Sequence, residues 1–517
     1  MTSDDRERSQ SGDRAGWVLL SVAAMVAVVL GCRGIGDPWE EGFRGLNGGG
    51  YTGTFVRHHL ALGLGVTHGS SISVVEPFEP PVLQHYLSHP PTFTLLVLLP
   101  CSLLGVSEAV IRATALVLFL PALLAIFLIA RRFVGPRGAG ATALLFAASP
   151  MAAYFGPMAI PDGSVLMAST WVVWAFLRWA DEPARGSAAA LAATWILACL
   201  LDWTGFFAGA VLLALVPLAG SPRRAFRAVF LLGALAAVPV ALVFAHLASA
   251  SGGLAPALDA VRGVSGNAAG TAVPLTALVV ATASHLWSWV GWPTLSLAVL
   301  GLILGLLQGR AGRRAVACAA ALTLPGLLNT ALFRNHAVIH DFWMIHSMPG
   351  IALLAAIPVA WSLGALRRAP GGVVARRRAA ACLACAGAIA LSGTVAYGSI
   401  ATMKAVDRNR TTLYRDLGKL LNRRFGAHDV IASTFNVKPT SYYTDACLVG
   451  PIYGPPQVRT ALATYAPILG AGHCIGFVLP ASAADTPLGR YLSMIARPER
   501  LGFLLAYRVE RRQARSR

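Results

Sequence analysis

Long apolar runs separated by short polar connectors dominate the chain from about residue 15 to about residue 400. They fall at residues 17–32 and near 110–130, 138–153, 164–180, 188–201, 204–219, 226–248, 286–308, 315–332, 346–364 and 379–400. Runs on this scale match the thickness of a bilayer core, so the pattern predicts eleven membrane-spanning helices. Residues 91–105 are also apolar, but the segment is short and Pro90, Pro91 and Pro100 interrupt it, which predicts a re-entrant or interfacial helix. After residue 400 the pattern changes. Leu413, Leu417, Leu420 and Leu421 share one face of a helix expected over 411–425, with Gly426 as its stop. Strand-like runs follow at 430–433, 475–479 and 503–509, with a helix-like run near 491–496.

The expected fold is therefore mainly α: a polytopic transmembrane helical bundle of about 11–13 spans followed by a small C-terminal extracytoplasmic α/β domain. Residues 1–14 are charged in both signs and expected to be a disordered cytoplasmic N-terminus, 15–400 form the membrane domain with outer loops at 34–90 and 154–163, and 401–517 form the α/β domain.

Composition agrees. Among 517 residues 56% are hydrophobic and only 13% charged, with a mean hydropathy of +0.62, too apolar for a soluble protein of this length. The formal charge of +19 would suggest a nucleic-acid partner in a soluble domain, but here the arginines cluster between apolar runs, so no nucleic acid is expected. The basic connectors are Arg131-Arg132 with Arg137, Arg178 with Arg185, Arg223-Arg224 with Arg227, Arg310 with Arg313-Arg314, and Arg367-Arg368 with Arg376 to Arg378. Every second loop is basic, which places these loops in the cytoplasm and the loops around Asp37, Asp162, Asp202 and Asp341 outside, in a bacterial inner membrane. Cys382 and Cys385 lie in an apolar run and read as packing residues, whereas Cys447 and Cys474 fall in the polar C-terminal region and are candidates for a disulfide if it is extracytoplasmic. Val29 to Cys32 reads VLGC, yet the run it ends is expected to remain as an uncleaved anchor.

Charge near lipid is costly and usually functional, and the outer loops carry Asp37, Glu40, Glu41, His89, Asp162 and Asp202. Asp162 precedes Gly163-Ser164 and an apolar run, so it reads as a helix cap or as a site residue. Asp202-Trp203 occupies a hairpin between two runs, where a structural hydrogen bond competes with sugar contact. His285, Trp287, Trp289 and Trp292 read as an interfacial aromatic belt.

The acidic first outer loop, His89-Pro90-Pro91 before an apolar run, Gly105 and Ser107-Glu108 before Arg112, the RRFVGPR turn and Ser149-Pro150 before an acidic second loop occur in an order that resembles the GT-C glycosyltransferases. The resemblance is to the family 39 and aminoarabinose-transferase-like bacterial enzymes; it covers about residues 15 to 220 and recurs at Asp202-Trp203 and His340 to Trp343. It implies an enzyme that moves one sugar, a hexose or a pentose, from a polyprenyl-phosphate donor to a lipid, glycan or protein acceptor on the outer face. It also matches Asp162 to the second-loop acidic position and His89 to the His-Pro-Pro histidine.

Elementary chemistry asks for the same parts: a carboxylate base for the acceptor hydroxyl and cations for the departing phosphate. Asp37 is the first candidate base, with Glu40 or Glu41 in its place. Arg57, Arg334 and His340 are candidate phosphate ligands, joined by Arg44, His58, His59, Arg262 and His336 on the same face, with Asp341 adjacent. No cofactor is expected, and a divalent metal finds no support in the spacing of His58, His59 and His68. No phosphate-binding glycine motif is present. The competing class is a transporter or flippase for a lipid-linked or polar solute, but transporters place polar groups near the bilayer midplane and here the charges sit at the ends of runs.

Overall fold

Each run expected to be helical is helical in the computed structural model, which describes residues 3–265, 273–363, 374–434, 438–450, 452–501 and 504–510. Arg367, Arg368 and Phe503 lie outside the described residues, as do the side chains of Arg262, Arg376 and Arg377. The chain divides into two compact units. The first comprises residues 1–35, 87–93 and 112–408; the second comprises 36–86, 94–111 and 409–517. The segment 36–86 thus groups with the C-terminal region.

The first unit is a helical bundle. Among the described residues, six helices are long and apolar enough to cross a membrane, or seven if one bent pair counts as a span. This is fewer than eleven, and three causes account for most of the difference. The 41 residues Glu108–Ala148 absorb two of the expected runs. Helices such as Arg185–Leu201, at 17 residues, are shorter than a full crossing. The run 286–308 is not one helix: Leu275–Trp289 and Trp292–Leu307 meet at 108°. The break sits at Gly291, whose φ of 82° suits glycine, and Pro293 starts the next helix without needing a backbone donor. The RRFVGPR turn is likewise a kink, at Gly135 with φ 73° before Pro136, inside Pro121–Ala148.

The N-terminal helix is Ser3–Gly31, so residues 3–14, expected to be disordered, are helical. The helix packs along Pro121–Ala148, and Asp13 bonds Arg131 at 2.9 Å, giving the charged end a tertiary partner. Small residues allow this approach: a Cβ on Gly140 would lie 2.8 Å from the Gly16 carbonyl oxygen.

The 13-residue helix Thr92–Leu104 belongs to the second unit from Thr94 onward. At 1.5 Å per residue it is about 20 Å long, too short to span the hydrocarbon core and in keeping with the re-entrant or interfacial expectation. The unit also holds a hairpin, β1 (Ile72–Glu76) and β2 (Val82–His85), and a sheet of β3 (Val430–Ser433), β4 (Cys447–Val449), β5 (Ile475–Pro480), β6 (Pro498–Leu501) and β7 (Leu504–Val509) in the order β4-β3-β5-β7-β6. β3 is parallel to β4 and β5, while β7 is antiparallel to β5 and β6. Side-chain alternation builds two cores: Val430, Ala432, Phe477 and Tyr507 face one layer with Val458 and Leu492, and Ile431, Val478 and Ala506 face the other with Leu417, Leu421 and Phe425. The expected helix is Leu413–Asn422, and the expected strands are β3, β5 and β7.

The Cys447–Cys474 disulfide is overturned. Both thiols are free and buried, and they belong to cores on opposite faces of the sheet. Cys447 pairs with Val430 of β3, and Cys474 directly precedes Ile475, which pairs with Val430 from the other side. Two strand spacings place the cysteines roughly 10 Å apart, beyond the reach of a disulfide.

Candidate active site

Three of the sequence candidates come together in the helical unit. Asp202 terminates Arg185–Leu201 in extended geometry and opens a short 3-10 turn. Its Oδ1 lies 2.6 Å from His89 Nδ1, and its Oδ2 accepts from the Thr204 hydroxyl at 3.0 Å. Asn329 donates to Thr204 at 3.1 Å, and the Trp203 indole donates to the Ser88 carbonyl at 2.8 Å, fastening the His89 loop to the same hairpin. Asp202 is 4% exposed. Burial opposes both charges, but the mutual attraction and hydrogen bond prevail, so His89 is held above its usual value and Asp202 below. The pair thus favours the imidazolium and the carboxylate.

Asp162 sits in the first turn of Pro161–Asp181, where the helix dipole favours an anion. Its Oδ1 meets His346 Nε2 at 3.1 Å, and both side chains are buried. The charge of Asp162 also acts on His89, so the Asp162–His346 and Asp202–His89 pairs share one electrostatic neighbourhood. His346, Thr204 and Asn329 were missed by sequence reasoning. The available signal was a polar residue in an apolar stretch, as in LLNT and MIHS.

His336 and His340 stack at 5.5 Å, and both contact the Trp343 ring. Burial, then the neighbouring imidazoles, pushes His340 down to about 4, and His336 is lowered by the same causes. At neutral pH His340 is therefore an uncharged ring, not the phosphate-binding cation expected of it. Arg334, in the short helix Arg334–Ala337, is exposed, with Nε donating to the Ala331 carbonyl at 3.3 Å. Asp341 accepts from the Trp289 indole at 2.6 Å, a bond that locks two helices. Trp289 also packs on Tyr154 and Phe155, so it faces inward, while Trp287 and Trp292 are exposed as belt residues would be.

The remaining candidates lie in the second unit, where the three loop carboxylates differ. Glu40 is buried and bonds Arg44 at 3.0 Å, with both side chains under 10% exposed. Glu41 is exposed, and its backbone N–H donates to Asn409. Asp37 is partly exposed and meets Arg410 at 2.9 Å. The adjoining glycines form a π-helical turn, Leu46–Gly53; a Cβ on Gly48 would collide with the Trp39 ring at 2.3 Å, so the glycine lets that ring lie against the backbone. Arg57 is committed inside the unit: it donates to the carbonyls of Ser441, Tyr442 and Thr444 and meets Asp445 at 3.0 Å. His59 is held below its usual value, at about 4, first by burial and then by His58. Among the described residues no group of three His, Cys, Asp or Glu side chains has the arrangement to hold a metal ion.

Residues 88–248, which contain His89, Asp162 and Asp202, match the family model described as dolichyl-phosphate-mannose-protein mannosyltransferase. The structure is similar to that of ArnT from Cupriavidus metallidurans bound to undecaprenyl phosphate, with a TM-score of 0.60 over 95% of this chain and 98% of that one, at 14% identity. The chain has the GT-C fold. A second GT-C structure, the Archaeoglobus fulgidus oligosaccharyltransferase tethered to an acceptor peptide, gives a TM-score of 0.60 at 12% identity, covering 93% of this chain and 70% of that one. The same organism's AglB in complex with an inhibitory peptide and a dolichol-phosphate gives 0.59 at 13% identity over the same shares. No curated protein matches the sequence. The family-model match covers the imidazole–carboxylate cluster of this GT-C fold but stops short of His346 and Asn329.

Proposed function

We propose that the chain transfers a single sugar from a polyprenyl-phosphate donor to an acceptor hydroxyl on the outer face of the bacterial inner membrane, with a cytoplasmic N-terminus and an extracytoplasmic C-terminal domain. The observation that carries this reading is the contact of Asp202 with His89 beside the buried Asp162–His346 pair, whose charge also acts on that imidazole. Asp162 and Asp202 are the buried carboxylates of the helical unit among the described residues, and both lie where a helix begins or ends. The match of residues 88–248 to a dolichyl-phosphate-mannose enzyme family and the likeness to a structure holding undecaprenyl phosphate support a lipid-phosphate donor.

In the proposed reaction the acceptor oxygen bonds to the anomeric carbon as the bond from that carbon to the phosphate oxygen breaks. The electron pair leaves on polyprenyl phosphate, and the acceptor proton passes to a carboxylate. Asp37 is the base, because its carboxylate is partly exposed and its partner Arg410 lies at the surface, whereas Glu40 is locked to Arg44. Glu41, exposed, is its alternate. Asp162, oriented by His346, positions the acceptor. His89, charged by Asp202, and Arg334 stabilise the leaving phosphate.

The test is transfer by purified protein in detergent, using a labelled polyprenyl-phosphate sugar and envelope extract as acceptor. Labelled product and free polyprenyl phosphate in equal amounts support the reading. Uptake of donor into vesicles without cleavage would overturn it.

A further inference from the structure

A cavity lies within the second unit, and none of these carboxylates lines it. It is a cleft of about 970 Å³ between the helix Thr54–Leu62 and β1–β2 hairpin on one side and the C-terminal sheet with its 466–473 segment on the other. That volume is at the upper end of small-molecule sites, enough for several linked rings. We propose that this cleft binds an uncharged glycan and is where the acceptor's sugar chain rests, an assignment that builds on the glycosyl-transfer reading.

Charge argues first. Arg57, Glu79 and Asp445 are the Arg, Lys, Asp and Glu residues that line the cleft. Arg57 is filled by three carbonyls and by Asp445, so it offers no open site to a phosphate or carboxylate. His58 is also uncharged near neutrality: burial, aided by the charge of Arg57, holds it below its usual value despite its bond to Ile72. An anionic headgroup would meet two carboxylates and no open guanidinium or ammonium group among the described residues.

Hydrogen-bonding capacity argues second. His58 Nδ1 lies 2.8 Å from the Ile72 carbonyl, which can only accept, so Nδ1 carries the proton and Nε2 of the neutral ring is an acceptor. Glu79 is an exposed carboxylate at the rim, and the rings of His428 and His473 stand 5.1 Å apart on the opposite wall. Sugar hydroxyls donate and accept at once, and this set of acceptors and ambivalent rings suits them.

The apolar surface argues third. Phe78 lines the cleft and is fixed by stacking on Tyr465 at 5.8 Å and 15°, with Tyr465 itself in the sheet core. A rigid aromatic face among polar groups accommodates the C–H face of a pyranose.

The test uses the full chain in detergent and saturation-transfer NMR with three probes: a neutral oligosaccharide ladder, the same ladder phosphorylated, and a Ser/Thr-rich peptide. Ala61→Trp and Ala471→Trp fill the cleft from exposed positions outside the proposed catalytic groups. The expected result is signal from the neutral ladder that grows with length and falls at least fivefold in either variant. Release of polyprenyl phosphate to water should be unchanged in both. Neutral-ladder signal that survives both substitutions would overturn the site, and preferential binding of the phosphorylated ladder or the peptide would overturn the ligand class. Loss of donor cleavage in the wild type counts against the glycosyl-transfer reading alone, because ladder binding is read without donor.

Discussion

The two units stabilise buried charge in different ways. The helical unit pairs its buried carboxylates with imidazoles, Asp202 with His89 and Asp162 with His346. The other unit pairs a buried carboxylate with a guanidinium, Glu40 with Arg44, and anchors Arg57 on carbonyls. A guanidinium stays charged at every accessible pH, so such a pair is fixed architecture. An imidazole can gain or lose its proton, so its partner carboxylate sits in a field that chemistry can alter. One loop contains both situations: Glu40 is locked, while Asp37 meets Arg410 with both side chains at least 30% exposed.

The largest effect should come where the second unit departs from its own pattern. Asp37→Asn keeps shape but removes the proton acceptor, and transfer should fall on the order of a hundredfold or more, with donor binding retained. A normal rate would move the role to Glu41. Next, Asp162→Asn and His346→Gln should each slow transfer by roughly tenfold and raise the acceptor KM, since the pair positions rather than reacts. If only one of them has an effect, the two do not act as a pair.

The third effect is in pH. Because His89 is raised above its ordinary value, the His89–Asp202 attraction is fully present below about 6.5 and is lost as pH climbs through the elevated folded value. Transfer should therefore show an alkaline limb, and Asp202→Asn should move that limb to lower pH. A limb that stays in place would separate His89 from the leaving-group role. The smallest effect is none: labelling of Cys447 and Cys474 in denatured protein should be the same with and without reductant, since strand β3 stands between them.

What could be read in the sequence follows from the range of the forces involved. Helices were legible because each apolar run carries its own signal, and β3, β5 and β7 because their Val, Ile and Phe residues are locally dense. β4 has only three residues, and β6 reads PERL on an exposed edge, so neither has a pattern to detect. The bend at Gly291 was hidden because SWVGWPTL is apolar on both sides. Asp162, Asp202 and His89 stood out as ionisable groups in greasy surroundings. Their partners did not, because His346 is 184 residues from Asp162 and His89 is 113 from Asp202. The neutral state of His340 was equally illegible, since it arises from rings that only the fold assembles.

The most direct test sets one pair against the other. Transfer rate per folded molecule and thermal inactivation temperature should be measured side by side for Asp202→Asn and Glu40→Gln. Removing the charge of Glu40 takes the carboxylate away from the buried Arg44 guanidinium, which should cost about 3–5 kcal/mol, while the surviving folded protein keeps its rate. Asp202→Asn should keep its inactivation temperature near that of the wild type and lose most of its transfer. The opposite outcome, with Glu40→Gln stable but inactive and Asp202→Asn active but unstable, would contradict the division between working and structural charge pairs.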